Sequence, residues 1–245
     1  MRIVSLVPSL TEYLFDLGLD AEVIGITKFC IHPEKWFRTK ERVGGTKTAN
    51  LDKILKLKPD LIVANKEENT KEDILFLQEH FEVILTDINN QEDLIPELKK
   101  LAIAVNKEEA AKKVVAEITA SLNEISPLAE PKKTVYLIWN DPIMAVGKQT
   151  FIHSMLELVN LRNGVHEVVS DPRYPSLTSS DLQKINPELL ILSSEPYPFK
   201  EKHLLHFRKL LPTTQVVIAD GEMFSWYGSR LKYFNAHWRA LKSTL

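Results

Sequence analysis

Features that the sequence lacks exclude several classes of protein. The chain has one cysteine, Cys30, so an intrachain disulfide is excluded and cysteine usage does not indicate the redox compartment. The formal net charge is only −2, so no sequence-wide positive field is available for a phosphate backbone, and we expect no nucleic-acid partner. No apolar run approaches the roughly 20 residues that span a bilayer, so no transmembrane segment is predicted.

Common catalytic motifs and an export signal are also missing. There is no Gly-x-Ser-x-Gly elbow, no His-Glu-x-x-His motif and no dinucleotide glycine fingerprint after the first strand. Met1-Arg2 leads directly into the apolar residues 3–7, which leaves no room for a leader within this chain. His203 and His206 share a helix face without a matching carboxylate, and we interpret them as surface residues.

The chain contains an internal repeat. The sequence ILKLKPDLIV at residues 54–63 recurs as LQKINPELLI at 182–191, in each case a helix end, a Pro-acid break and an apolar strand. Pro59 and Pro187 are 187 − 59 = 128 positions apart in a chain of 245 residues, which is about half its length. The repeat therefore predicts two similar lobes.

Strands alternate with helices in both halves, which predicts an α/β fold with mainly parallel sheets. We expect an N-terminal lobe over 1–90, a connecting backbone helix over 91–130 and a C-terminal lobe over 131–245. Apolar residues recur at spacings of three and four in the connection, which predicts a long rigid helix whose main segment starts at 106–108. Ser9 and Asn50 are expected helix N-caps.

In parallel α/β sheets, ligands bind beyond the carboxyl ends of the strands. The corresponding edge of the second lobe is rich in aromatic residues, including Trp139 and the segment 223–230, which reads MFSWYGSR. Such side chains suit a bulky, partly planar ligand, although Phe224 and Trp226 equally suit a role as caps of their own core. Arg173, Arg230 and Lys28 are candidate partners for ligand carboxylates or phosphates, or solvated surface charges.

Cys30 and His32 place a thiol and an imidazole on one loop. Direct metal coordination needs further ligands, and His153 and His166 would have to come from the other lobe. We therefore predict no protein-held metal and no cofactor, while contact with a chelate that itself contains cobalt or iron stays open.

The order of several segments resembles the substrate-binding proteins of ABC importers for cobalamin and iron-siderophores. The matching segments are LVPSLTE at 6–12, the Gly44–Ile62 run with LKPDLI, Trp139 and Gly147-Lys148 in the second half, and Arg173-Tyr174-Pro175 before the PELL strand. The resemblance covers nearly the whole chain. It implies a class III periplasmic-binding-protein-like fold, with a cleft between the lobes that holds a metal chelate.

The resemblance implies a non-enzymatic receptor, expected as a monomer, that presents a corrinoid or ferric siderophore to an ABC permease. The residues expected to line the cleft are Phe29, Cys30, His32, Asn65, Trp139, Arg173, Tyr174, Phe224, Trp226, Tyr227 and Arg230. The acidic residues expected to dock on arginines of the transporter are Glu67, Glu68, Glu72, Glu195 and Glu222.

Two positions depart from the pattern of the cobalamin receptors in this family. Asn65 stands where they have a large aromatic residue, and Ser225 where they have an acid, which favours another corrinoid or chelate as the ligand. The resemblance implies a periplasmic or membrane-anchored location, whereas the missing signal leaves a cytoplasmic one open. The alternative function is an intracellular enzyme of metal-chelate or tetrapyrrole metabolism with Cys30 and His32 as reactive groups.

Overall fold

The computed structural model describes residues 1–170 and 173–245, which form two compact units. Each unit is assembled from separate stretches of chain, so the segment that contains Trp226 groups with the N-terminal residues. The predicted boundaries at 90 and 130 stay a prediction. The first unit comprises Met1–Ile88, Glu92–Leu122 and Trp226–Lys232, and the second comprises Asn89–Gln91, Asn123–Ser225 and Tyr233–Leu245.

A five-stranded sheet forms the centre of the first unit, and all its neighbouring strands are parallel. The strand order is β3-β2-β1-β4-β5. β1 and β4 are buried along their whole length, as expected for strands covered on both faces. The strands are β1 (Ile3–Ser5), β2 (Val23–Ile26), β3 (Glu41–Arg42), β4 (Leu61–Asn65) and β5 (Glu82–Thr86).

Local capping signals explain where the helices of the first unit begin. Asn50 caps α3, since its side chain accepts a hydrogen bond from Lys53 N at 2.9 Å, which confirms the predicted cap. The predicted cap Ser9 was wrong: Pro8 begins α1 and Val7 is the N-cap, because proline suits a position whose N–H has no helical partner. These helices are α1 (Pro8–Asp16), α2 (Glu34–Thr39), α3 (Leu51–Leu57) and α4 (Lys71–Gln78).

The connecting stretch consists of two helices, α5 (Gln91–Ala104) and α6 (Glu108–Asn123), where one long helix was expected. Asn106 lies between them with a left-handed φ of 54°. Lys107 N donates to Ala102 O at 2.9 Å, which is the hydrogen bond of a Schellman motif at a helix C-terminus with a left-handed residue. The start of α6 at Glu108 confirms the predicted start of the main segment.

The second unit contains a six-stranded mixed sheet in the order β11-β10-β6-β7-β9, with β8 paired to β6. β6, β10, β11 and β8 pair in parallel, whereas β7 and β9 are antiparallel additions that the sequence patterns did not predict. The strands are β6 (Lys132–Asn140), β7 (Ile143–Ala145), β8 (Leu161–Asn163), β9 (Ser176–Leu177), β10 (Leu189–Ser193) and β11 (Gln215–Ala219).

The helices of the second unit follow the predicted order, with two differences towards the C-terminus. The short helix Gly221–Ser225 was not predicted. The predicted final helix over 229–243 begins as a 3-10 turn at Ser229–Tyr233 and becomes α-helical only from Phe234. The helices are α7 (Phe151–Leu158), α8 (Ser179–Ile185), α9 (Glu201–Leu210), α10 (Gly221–Ser225) and α11 (Phe234–Lys242). Among the residues that the structure describes, no helix combines the length and the apolar character needed to cross a bilayer.

The internal repeat adopts the same local structure in both units. Lys58 ends α3 and Asn186 ends α8, with left-handed φ values of 47° and 45°. Pro59 and Pro187 follow, and β4 and β10 then run fully buried. The pattern of helix end, proline and buried strand is therefore confirmed in each unit.

Lys58→Gly should raise the free energy of unfolding by about 1 kcal/mol, because glycine has no Cβ to clash in the left-handed conformation. Lys56→Gly, at an exposed position inside α3, should lower it by about 1 kcal/mol, since glycine is unfavourable in a helix interior. Urea unfolding of both variants measures these changes. A loss of stability in Lys58→Gly would contradict the left-handed helix end.

Candidate functional site

The loops at the carboxyl edge of the first sheet carry most of the predicted N-terminal site residues. β1, β2, β4 and β5 run parallel, so their carboxyl ends share one edge. Residues 27–32 follow β2, and residues 66–70 follow β4. This edge is where ligands of open α/β sheets bind.

Cys30 lies within this edge but is fully buried. Its Sγ is 3.1 Å from Thr11 Oγ1 and 3.2 Å from Thr27 Oγ1. Burial raises the pKa of the Cys30 thiol, and this effect outweighs the contacts with the two hydroxyls. The thiolate is the form that attacks electrophiles and binds metals, so burial and the raised pKa disfavour reaction of this sulfur.

Phe29 is the most exposed large hydrophobic residue of the loop after β2, with 50% of its surface accessible. Lys28 Nζ lies 5.0 Å from the centroid of its ring. The Phe29 ring packs close to the backbone of Gly45. A side chain at position 45 would crowd it, because a Cβ there would be only 3.2 Å from Phe29 Cε2. Gly44 and Gly45 form a turn, as Gly44 has a φ of 99° and Gly45 N donates to Thr48 O at 3.0 Å.

Trp226 contacts His32 although it lies far away in sequence. The ring centroids are 5.4 Å apart at an interplanar angle of 72°, an edge-to-face arrangement. Trp226 is buried and His32 half-buried. The segment turns at Gly228, whose φ is 110° and whose Cα lies against the backbone of Ser9. The structure thus brings these two predicted site residues together within the first unit.

Arg230 pairs with Glu12, a residue that the sequence analysis did not assign to the site. Arg230 Nε and the second guanidinium nitrogen Nη2 donate to the two carboxylate oxygens of Glu12, each at 2.9 Å. The two side chains are both only 13% exposed, and the guanidinium also lies 5.0 Å from the Trp226 ring centroid. Burial raises the pKa of Glu12 despite the neighbouring Arg230, so the carboxylate depends on that cation for its charge.

Asn65 supports the turn after β4. Its buried side chain donates to Thr86 O and Oγ1 at 3.2 and 3.0 Å and accepts from Glu67 N at 2.8 Å. The turn presents the half-buried Glu67 and Glu68, and Glu72 lies exposed in the first turn of α4.

The carboxyl edge of the second sheet presents Trp139 near the end of β6. Trp139 is 38% exposed, and its indole N–H donates to Asp141 O at 3.0 Å. Tyr197, in the loop after β10, lies beside it with ring centroids 5.4 Å apart. The backbone fixes this neighbour, because Tyr197 N donates to Ile138 O at 3.3 Å.

Two predicted aromatic ligand contacts besides Trp226 are buried. Phe224 is 3% exposed and packs against Tyr136 and Phe234, with ring centroids 5.5 and 5.6 Å away. Tyr227 is also 3% exposed. The sequence analysis offered a second role for Phe224, as a cap on the core of its own lobe. Its packing in the second unit matches that role.

The remaining predicted residues of the second unit are half-buried. Arg173 Nη1 donates to Asn89 Oδ1 at 3.2 Å, and Tyr174 follows it in the loop before β9. Ser225 Oγ donates to Glu195 Oε1 at 2.8 Å. Glu222 lies in α10. The hydroxyl of Ser225, at the position where the cobalamin receptors were expected to have an acid, therefore binds the carboxylate of Glu195 in the loop after β10.

Sequence reasoning did not assign Tyr197 and His203 to the site, and His203 is not the surface residue that was predicted. It is 8% exposed and its ring packs against Tyr197 and Phe199. The periodicity of α9 held a usable signal, because His203 lies four residues before the buried Phe207 on the same helix face. His206 is exposed as predicted.

No group of three or more His, Cys, Asp or Glu side chains arranged to hold a metal ion occurs among residues 1–170 and 173–245. Cys30 and His32 are thus not joined there by further ligands. The predicted lack of a protein-held metal stays a prediction.

A model of the periplasmic binding protein family matches residues 3–209, which is well over half of the chain. The chain belongs to this family. The resemblance inferred from the order of the sequence motifs is thereby confirmed.

Two relatives of this chain have names that indicate what they bind or assemble with. The ABC transporter substrate-binding lipoprotein YvrC of Bacillus subtilis is 27% identical over 201 residues, 78% of this chain but only 62% of that protein. This chain thus spans less than two thirds of its length. The vitamin B12-binding protein of Pectobacterium atrosepticum is 22% identical over 241 residues, 94% of this chain and 84% of that protein.

A solved structure shares the fold of this chain. The periplasmic haem-binding protein HutB of Vibrio cholerae superposes with a TM-score of 0.81 at 18% identity, covering 99% of this chain and 98% of that one. The likeness confirms the predicted class of two α/β lobes similar to class III periplasmic binding proteins.

Arg230→Gln should lower the free energy of unfolding by about 3 kcal/mol near neutral pH, because it leaves a buried carboxylate without its cation. The loss should shrink at about pH 4, since Glu12 with its raised pKa is then protonated and needs no cation. Chemical denaturation at both pH values measures this.

Arg38→Gln is the matched control, because its partner Glu34 and Arg38 itself are more than 70% exposed. Its effect should stay under about 0.5 kcal/mol at both pH values. An equal loss for the two arginine variants, or a loss for Arg230→Gln that does not depend on pH, would contradict the buried ion pair.

The Cys30 thiol should react with Ellman's reagent only after unfolding, because it is buried and its pKa is raised. Phe29→Cys in a Cys30→Ser background supplies an exposed thiol one position away and should react at once. The absorbance of the released thionitrobenzoate reports both reactions. Rapid reaction of Cys30 in the native protein would instead favour the alternative with a reactive cysteine.

Proposed function

We propose that the protein is a substrate-binding protein that captures a metal chelate, such as a corrinoid, a haem-like tetrapyrrole or a ferric siderophore, for an ABC importer. Family membership and the names of the relatives support a transport receptor. The observation that carries the proposal is that each unit exposes a large aromatic residue near the carboxyl ends of its parallel strands, Phe29 in the first unit and Trp139 in the second. Large exposed rings at such edges offer stacking surface to a bulky ligand.

The protein acts without catalysis in this proposal. Cys30 is buried, its pKa is raised, and its sulfur lies against the hydroxyls of Thr11 and Thr27, which does not favour the alternative of an enzyme with this reactive thiol. Ligand contacts come from exposed and half-buried groups such as Phe29, His32 and Trp139, while Phe224 supports the core of the second unit.

The proposed partner is an ABC permease, to which the protein docks through acidic side chains. Glu72 is exposed on α4, and Glu67 and Glu68 lie half-buried on the turn before it. Glu195 and Glu222 are the corresponding acids of the second unit. Surface carboxylates are suitable partners for arginines of the permease, because charge complementarity speeds association and selects orientation. Action as a monomer stays a prediction.

Mixing the protein separately with hemin, dicyanocobinamide, cyanocobalamin and a ferric siderophore tests the proposal. At least one should shift its absorbance spectrum on binding and raise the melting temperature of the protein, since a ligand at 100 times its Kd stabilises the folded state by about 2.7 kcal/mol. The absence of both signals with every chelate would overturn the proposed function.

Phe29→Ala and Trp139→Ala should each weaken binding by up to about tenfold, the effect of losing one aromatic contact. Ile103→Ala and Leu205→Ala are matched controls, because these exposed apolar residues lie on α5 and α9, away from the strand ends. They should leave the affinity unchanged. Equal losses in the controls would show that the two aromatic residues have no specific role.

A further inference from the structure

Trp139 and Tyr197 form an aromatic face at the carboxyl edge of the second sheet. Their rings meet edge to face, with centroids 5.4 Å apart and an interplanar angle of 67°. The indole N–H of Trp139 is already bound to Asp141 O. The exposed part of the indole therefore offers an apolar π surface and no free donor, which suits a conjugated ring better than a hydroxyl-rich ligand.

His203 contacts Tyr197, one of the two residues of this face. Its Nδ1 accepts a hydrogen bond from Lys200 N at 2.8 Å, at the start of α9. Since Nδ1 accepts, the proton of the neutral ring is assigned to Nε2, which lies 3.1 Å from Tyr197 Oη. The imidazole thus joins the backbone at the start of α9 to the hydroxyl of Tyr197.

The surroundings of His203 hold the ring in one orientation. It lies edge to face with Tyr197 and Phe199, at centroid distances of 5.3 and 5.5 Å. Phe199 belongs to the hydrophobic core of the second unit. Burial, followed by the charge of Lys202, lowers the pKa of His203 despite an opposing hydrogen bond with the backbone of Lys200. The lowered pKa favours the neutral ring that this hydrogen-bond pattern requires.

We propose that His203 is a positioning residue that orients Tyr197, and through it Trp139, as a stacking face for a planar conjugated ring of the ligand. The inference rests on the proposed function and narrows its ligand to chelates with such a ring. It implies a preference for a tetrapyrrole over an aliphatic hydroxamate chelate. The side chain of His203 itself does not touch the ligand.

The first experiment measures hemin affinity in His203→Phe, Tyr197→Phe and the double variant, with ferrioxamine B as the aliphatic chelate. Each single variant should bind hemin about fivefold more weakly. The double variant should be no weaker than either single one, because both remove the same hydrogen bond. His206→Phe, on the exposed side of the same helix, is the matched control and should bind like wild type. Additive losses, unchanged affinity, or tighter binding of ferrioxamine B than of hemin would overturn the inference.

The second experiment needs no ligand. Trp36, Trp226 and Trp238 are buried, so acrylamide quenching of fluorescence reports mainly on Trp139. Quenching should change in His203→Phe, and in wild type it should change as the pH falls and Nδ1 gains a proton that prevents it from accepting Lys200 N–H. The same quenching in wild type and His203→Phe at every pH would overturn the positioning role.

These outcomes separate the two proposals. If wild type binds no chelate, the proposed function fails, and the quenching data still decide whether His203 orients the aromatic face. If wild type binds hemin but neither affinity nor quenching responds to His203, only the positioning role fails. His203→Gln, which keeps a polar side chain, replaces His203→Phe if the latter does not fold.

Discussion

Parallel pairing of the strands is the constraint on which the rest of the structure depends. Parallel strands need a crossover connection, so each loop that leaves a carboxyl end emerges at the same edge. In the first unit this gathers the residues after β2 and β4, and in the second unit the residues after β6 and β10. Residues far apart in sequence then share one surface, where they can vary without disturbing the buried strands.

The first unit also contains a segment from late in the sequence, which long-range contacts hold against the N-terminal residues. The segment Trp226–Lys232 returns to the N-terminal residues, where Arg230 binds Glu12 and Trp226 packs against His32. A bidentate guanidinium-carboxylate pair at low exposure is costly to desolvate but also specific in geometry. The pair thus fixes the orientation of this segment. Arg230, which was predicted to bind a charged group of the ligand, binds the carboxylate of Glu12 instead.

Aromatic residues illustrate how residue type alone misleads. Trp139 and Phe224 look equivalent as loop-adjacent aromatic residues in the second half of the sequence, but Trp139 is 38% exposed whereas Phe224 is 3% exposed. Phe224 lies in α10 against Tyr136 of the central strand, and Trp139 lies near the strand end beyond the core. Similarly, Cys30 and His32 are neighbours in the loop, yet only the imidazole remains partly accessible.

The sequence by itself determined the α/β class, the repeated helix-proline-strand unit and the family, because these depend on local signals: periodicity, caps and the order of motifs. Only the tertiary structure decided that Glu12 pairs with Arg230 and that His203 supports Tyr197. The physical reason is that burial and partnership depend on which distant elements pack together. A local pattern gives the type of a side chain and its position on an element, whereas contacts across the fold determine whether that side chain meets solvent or the protein interior.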